Sequence, residues 1–191
     1  MYTAKHFDRL LGIKGFSEEM IDNHITLYKG YVKATNEALA TLAEMRMNVA
    51  ADAQTLADVR RRLGWEFNGM RLHEYYFENL GGNGRLDGKG RLGSKLAETF
   101  GSVELWEKDF RATGAMRGVG WAILYQDPLA GKFLNMWVNE HDVGHPAGAK
   151  PLLVLDAFEH AYMLDYGLKK DGYLDAFFAN VDWKCVESRL A

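Results

Sequence analysis

The sequence predicts an α+β chain: an N-terminal helical hairpin, then a C-terminal lobe in which helices flank a small three-stranded antiparallel sheet. Three observations carry this. Apolar residues recur at helical spacing through most of the first 80 positions. A glycine-rich break follows, Gly81-Gly82-Asn83-Gly84 with Asp87-Gly88-Lys89-Gly90 behind it. Beyond residue 118 the pattern shortens to runs of aromatic and branched residues, the signature of strands. The break divides the chain into a helical hairpin domain, residues 1–80, and an α/β domain, residues 81–191.

The first long helix begins at Ser17, an N-cap with Glu18 and Glu19 in the following turn, and runs to about Arg46. His24, Tyr28 and Tyr31 fall at i, i+4 and i+7, so one face carries an imidazole and two phenols. Gly30 weakens the helix locally and suggests close approach of another backbone. Residues 52–62 form a second helical segment of mixed polarity. A third, Leu63 to Leu80, puts Phe67, Met70, His73, Tyr76 and Phe77 on a wide apolar face with a histidine at its middle.

The Gly81–Gly90 stretch reads as a flexible loop; no strand precedes it and the spacing that cradles phosphate is missing. Helices are expected near 93–100 and 102–115. Gly118 to Asn139 then holds two short strands joined by Asp127-Pro128-Leu129-Ala130-Gly131, a hairpin signal. Glu140-His141-Asp142-Val143-Gly144-His145-Pro146 connects the second strand to a third, Pro151 to Leu155, and helices near 171–180 and 183–190 close the chain.

Composition narrows the chemistry. The 191 residues, 48% hydrophobic, suffice for a buried core. A net charge of −3 with scattered Lys and Arg leaves no footprint for nucleic acid. Cys185 is the single cysteine, so no intramolecular disulfide or thiolate cluster can form, and any metal must use nitrogen and oxygen. No apolar run is long enough to cross a bilayer and the N-terminus lacks a signal-peptide pattern, so a soluble, cytoplasmic protein is expected, with no membrane partner.

The most informative stretch is Val154-Leu155-Asp156-Ala157-Phe158-Glu159-His160-Ala161-Tyr162. The strand delivers Asp156, and if a helix follows, Asp156 and His160 stack one turn apart. Such a pair is a metal-ligand pair, an acid/base pair or a structural hydrogen bond, and the pair alone leaves all three open. Together with His24 and His73 it makes three imidazoles and one carboxylate, a donor set suited to iron or manganese. Zinc accepts similar donors but exchanges no electrons.

DAFEHAY resembles the D-x-W-E-H-A-Y signature of the iron/manganese superoxide dismutases, with Phe158 where that family usually has Trp. The resemblance extends over nearly the whole chain. His24 lies where the family has a ligand in its first long helix. His73 corresponds to the histidine of an N-H-x-x-x-W helix, here LHEYYFENL. GVGWAI resembles the strand G-S-G-W-x-W, keeping Trp121 and replacing the second Trp by Ile123. HAYMLDYGLKKDGYLDAFFANVDW is similar to the family's C-terminal motif.

The resemblance implies one iron or manganese ion per subunit, held by His24, His73, Asp156 and His160. That ion changes valence while superoxide becomes oxygen and hydrogen peroxide. It implies that His141 fills the solvent-contacting role that family members give to Gln, because Gly69 stands where iron-type members often carry it. Tyr31 is the implied gate tyrosine, with Tyr28 as its neighbour among the catalytic residues. A homodimer through Glu159, His160 and Tyr162 is implied, and Lys170 occupies the place of a family Arg near the substrate funnel. A scaffold of the same fold that binds metal without turnover is the competing expectation. His6, His145 and Cys185 are assigned to structure or surface.

Overall fold

The computed structural model describes residues 1–48 and 52–191. Helix α1, Glu18–Met47, is capped by Ser17, whose hydroxyl accepts from the Met20 N–H at 3.1 Å. It buries Met20, Ile21, His24, Ile25, Tyr28, Tyr31, Val32 and Thr35, a stripe at spacings of three and four. That stripe packs on α2, Ala53–Glu78, capped by Asp52 through the Thr55 N–H at 2.7 Å. The two segments expected between 52 and 80 are one helix. Gly64, with open space around it, interrupts neither the backbone ladder nor the packing. Gly30 is likewise in open space: among the described residues nothing stands within 4 Å of a Cβ placed there, so within the chain the close-approach expectation is corrected.

The C-terminal half holds α3, Arg91–Phe100, α4, Val103–Gly114, and strands β1, Gly120–Asp127, β2, Lys132–Asn139, and β3, Lys150–Asp156. The sheet has the order β2-β1-β3, antiparallel throughout, with β1 buried along nearly its whole length. Its register decides where chemistry can sit. Trp121 lies opposite Val138 on one side and Asp156 on the other, so the start of β1 and the ends of β2 and β3 meet at one end of the sheet. Two residues beyond Asn139, the β2 exit supplies His141.

Three short helices finish the chain: α5, Met163–Tyr166, α6, Lys170–Ala179, and α7, Trp183–Ser188. The first part of the glycine-rich stretch is packed rather than loose, whereas Gly88 lies at the surface in open space. The Gly82 and Gly84 N–H groups donate to the Asn180 and Val181 carbonyls at 2.9 and 3.1 Å, and Leu80 bridges Val181. A Cβ on Gly82 would stand 2.3 Å from the Val181 oxygen, so glycine there permits backbone to lie on backbone. Residues 81–84 of the expected flexible break are thus a seam between the end of α2 and the α6–α7 corner.

Candidate metal centre

Four elements from both halves converge. His24 comes from α1, His73 from α2, Asp156 from the last position of β3, and His160 from a 3-10 turn, Glu159–Ala161. Asp156 and His160 therefore meet by a different route from the expected helix. Phe158 is extended, at φ −66° and ψ 151°, and its N–H donates to Asp156 Oδ1 at 2.8 Å. This turn, in which the carboxylate holds the backbone two residues on, competes with helix and wins. Asp156 is gripped from the other side by the Tyr173 hydroxyl, which donates to its carbonyl at 2.7 Å.

The second carboxylate oxygen, Oδ2, faces three imidazoles. His24 Nε2 and His160 Nε2 each lie 3.1 Å from it and His73 Nε2 lies at 3.6 Å. One ligand atom from each of the four residues lies within 4.8 Å of every other. His24, His73 and Asp156 are almost wholly buried and His160 is half-buried. The His73 tautomer follows from its partner. Nδ1 is 2.6 Å from the Gly69 carbonyl, which only accepts, so the proton sits on Nδ1 and Nε2 carries a lone pair. Among the described residues, that buried nitrogen has no hydrogen-bond partner. A buried acceptor aimed at a carboxylate is unfavourable without a cation between them. The residues present thus fit a divalent or trivalent ion, and the nitrogen and oxygen donors favour iron or manganese.

Charge states agree with ligation. Burial lowers the affinity of His24 and His73 for a proton more than Asp156 raises it, so both rings are neutral near neutral pH. Burial alone would raise the Asp156 carboxyl, but the contacts from His160 and His24 outweigh it and hold the group well below the usual carboxylate range.

A second tier surrounds the quartet. His141 is fully buried, and its ring is fixed by Trp121, whose Nε1–H donates to Nδ1 at 3.0 Å. Nε2 must then carry the hydrogen and donate to the Tyr31 oxygen at 2.8 Å. The Tyr31 ring stacks on His73 with centroids 5.1 Å apart. It also occupies the space a residue-69 side chain would need: a Cβ on Gly69 would be 2.6 Å from the Tyr31 ring. Glycine at 69, Tyr31 over His73 and a histidine delivered from the other lobe are therefore one arrangement. Tyr28 is not part of it. Its hydroxyl donates to Glu74 at 3.0 Å and accepts from the Lys5 N–H at 2.9 Å, while its ring packs edge-on to Phe7 and Phe77.

Two contributors were not anticipated. Trp65 lies two turns before His73, its ring 4.4 Å from His141 and 5.6 Å from Tyr31, and its Nε1–H donates to Glu140 at 3.1 Å. Glu140 adopts a left-handed backbone, φ 48°, which lets the loop turn His141 inward. The helical phase of Trp65 relative to His73 was a signal for the first; nothing in the sequence marked the second.

Burial pushes His141 from its ordinary 6.5 down to about 4. The unfolded chain takes up this proton near pH 6.5 and the folded chain resists until about pH 4. Stability present above that window is therefore lost as pH falls through it. For the metal-free protein the loss from His141 alone is about 2 kcal/mol between pH 7 and pH 5, with His24 and His73 adding in the same direction. Urea unfolding of the metal-free protein at both pH values checks this, and equal midpoints would count against buried neutral histidines.

Comparison with known proteins places the chain in context. Residues 88–189 match the C-terminal domain of the iron/manganese superoxide dismutases. Over 183 residues the chain is 40% identical to a "Superoxide dismutase [Fe]" of Cupriavidus metallidurans, covering 94% of this chain and 90% of that protein. It is 38% identical over 168 residues to a "Superoxide dismutase [Mn]" of Haloarcula marismortui, covering 87% and 81%. A "Superoxide dismutase [Fe]" of Aquifex pyrophilus is 36% identical over 93% of this chain and 85% of its own length.

Proposed function

Since the chain belongs to the iron/manganese superoxide dismutase family, we infer that His24, His73, Asp156 and His160 hold one iron or manganese ion per subunit and that Tyr31 and His141 serve the reaction beside it. The activity is dismutation: two superoxide anions and two protons become oxygen and hydrogen peroxide. The observation that carries this reading is the convergence of three imidazoles on one oxygen of Asp156 with His73 Nε2 otherwise unpartnered. When bound, the ion supplies one-electron exchange by alternating between trivalent and divalent states.

The chain's own residues handle the protons and the approach of substrate. His141 donates to Tyr31, so the phenol's own hydrogen remains available to a further acceptor. Burial, reinforced by Asp156 and Glu66, pushes the Tyr31 phenol up to about 12, so it stays protonated at neutral pH and holds a proton at Oη. Tyr31 is the gate in this reading. Trp65 and Phe158 flank His141, the latter stacked 4.8 Å away, and limit water around the hydrogen-bonded pair. Lys170, whose Nζ lies 5.5 Å from the Tyr162 ring and within reach of the Met116 carbonyl, attracts the substrate anion.

Superoxide loss catalysed by metal-free, iron-loaded and manganese-loaded protein tests the function. Turnover is expected in at least one loaded form and absent without metal; stoichiometric metal with no turnover in either form would favour a binding scaffold. In the same assay His141→Gln is expected to change the ratio of the two loaded activities, and an unchanged ratio would remove His141 from the reaction.

The reading also includes a homodimer through Glu159, His160 and Tyr162. Glu159 is exposed and free to reach a partner's imidazole, which would fix the tautomer of that ligand. Sedimentation of Glu159→Ala at low concentration is expected to show weaker association than the parent, and identical profiles would refute the contact. The division into 1–80 and 81–191 belongs to the same proposal, supported by the domain match at 88–189. Among the described residues no helix is long and apolar enough to cross a membrane. A cytoplasmic location accords with the single cysteine, and cell fractionation tests it.

A further inference from the structure

His145, which the sequence assigns to structure or surface, joins strand β1 to the backbone of His141 through two hydrogen bonds. Its Nε2 lies 2.9 Å from the His141 carbonyl, which only accepts, so Nε2 carries the proton. Nδ1 must then accept, and it does so from the Tyr125 hydroxyl at 2.6 Å. Tyr125 is buried on β1 four residues from Trp121, and residues four apart on a strand share a face. Strand β1 thus holds His141 twice: Trp121 binds the ring directly, and Tyr125, through His145, binds the backbone of the same residue. Tyr125 donates to His145 and His145 to the His141 carbonyl, while the ring of the same residue donates separately to Tyr31.

We propose that Tyr125 and His145 form a brace that sets the position of His141 against Tyr31, making His145 a positioning residue for the reaction. The proposal rests on the role inferred above for His141. Its physical basis is that, among the described residues, His145 is the one donor to the His141 carbonyl, while the neighbouring contacts hold other groups: Trp121 the His141 ring, and the Val119 carbonyl the Glu140 N–H at 2.9 Å. Residues 140–143 are a turn closed by two Asn139–Val143 hydrogen bonds, and Gly144 leaves it at φ 107°. The far side of His145 is not packed. A cavity of about 340 Å3, bordered by Asn68, Arg71, Tyr75 and Pro146 among others, lies against it and against Tyr125. With open space on that flank, the imidazole is kept in place by its two hydrogen bonds. Without it the buried His141 carbonyl has no donor and the loop relaxes toward a new one. A shift of the His141 backbone lengthens the bond to Tyr31, and supporting contacts of this kind are worth roughly tenfold or more in activity.

The test compares the parent protein with His145→Leu, His145→Gln and Tyr125→Phe, using two readouts. In metal-free protein labelled at histidine, imidazole N–H resonances report the hydrogen bonds directly. The His141 Nε2–H signal, protected by Tyr31 in the parent, is expected to shift and exchange faster in His145→Leu as well as in Tyr125→Phe. A gap-filling role would remove only the His145 signal. In the metal-loaded enzymes, turnover at saturating superoxide is expected to fall about tenfold in His145→Leu, in line with other supporting contacts, with metal content unchanged. His145→Gln, whose amide can donate to the carbonyl and accept from the tyrosine, is expected to recover most of it. Should His145→Leu not fold, Tyr125→Phe, which removes a single oxygen, carries the test with a smaller drop in the same direction. An unaltered His141 resonance and unaltered turnover in the variants, beside an active parent, overturn the brace and leave the dismutase reading intact. An inactive, fully loaded parent overturns both.

Discussion

Replacing Asp156 by alanine is expected to abolish stoichiometric uptake of iron and manganese and all turnover with it. Among the four converging side chains Asp156 supplies the single oxygen donor and the single negative charge, and all three imidazole nitrogens are arranged around its Oδ2. Three neutral histidines left alone in a dry site offer no compensation for a trivalent ion's charge. The alanine variant also loses the contact from Oδ1 to the Phe158 N–H, which costs about 1–3 kcal/mol and blurs the result if the fold suffers. Asp156→Asn keeps an oxygen for that contact while removing the charge, so it separates the two effects. His73→Ala is expected to fail in the same way, since its Nε2 has no other partner to lose. Metal content after reconstitution and dialysis, beside far-ultraviolet circular dichroism, decides the matter. A folded variant that still takes up one equivalent removes the mutated residue from the set of ligands.

The largest effect on stability is expected far from the metal, at Arg189. This side chain, 9% exposed, donates from Nη1 to Asn79 Oδ1 and to the Leu152 carbonyl at 2.6 Å, and from Nη2 to Glu78 at 3.1 Å, while its plane stacks on Tyr75 at 4.7 Å. Asn79 in turn donates to the Val154 carbonyl at 2.8 Å. One guanidinium therefore ties the end of the chain to the end of α2 and to β3, four residues before Asp156. Arg189→Ala leaves the Leu152 carbonyl and the Asn79 amide oxygen buried without this donor. Leaving these two buried acceptors without a donor costs about 1–3 kcal/mol each, a large part of the 5–15 kcal/mol that typically holds a domain folded. For a chain of this size that corresponds to a fall in Tm on the order of 10 °C. Arg189→Lys keeps the charge but lacks the planar fork, so it is expected to recover less than half of the loss. Thermal and urea unfolding measure both variants; a Tm within 2 °C of the parent for Arg189→Ala would show that the network carries little.

Particular residues show why part of the molecule was readable in advance. Helix α1 could be placed to within a residue because Ser17, the acids behind it and the apolar stripe are local signals that agree. The hairpin of β1 and β2 was legible for the same reason, its turn being marked by Asp127, Pro128 and Gly131. Where a local preference met a competing contact, the reading failed. Residues 157–160 have helical composition, yet the Asp156 side chain binds the Phe158 backbone and produces an extended step followed by a 3-10 turn. Gly82 and Gly84 look like signs of looseness and instead let two backbones touch.

Chemical identity is a property of the chain itself: three histidines, one aspartate and the absence of clustered thiols limit the donors to nitrogen and oxygen whatever the fold. Local periodicity likewise settled the order and type of most elements. Distances are another matter. That His24 and Asp156, 132 residues apart, lie 3.1 Å from each other, that Tyr31 fills the space beside Gly69, and that Tyr125 steadies His141 through His145 are consequences of packing and sheet register. Such contacts depend on the mutual placement of several elements, and no short window of sequence contains the forces that decide it.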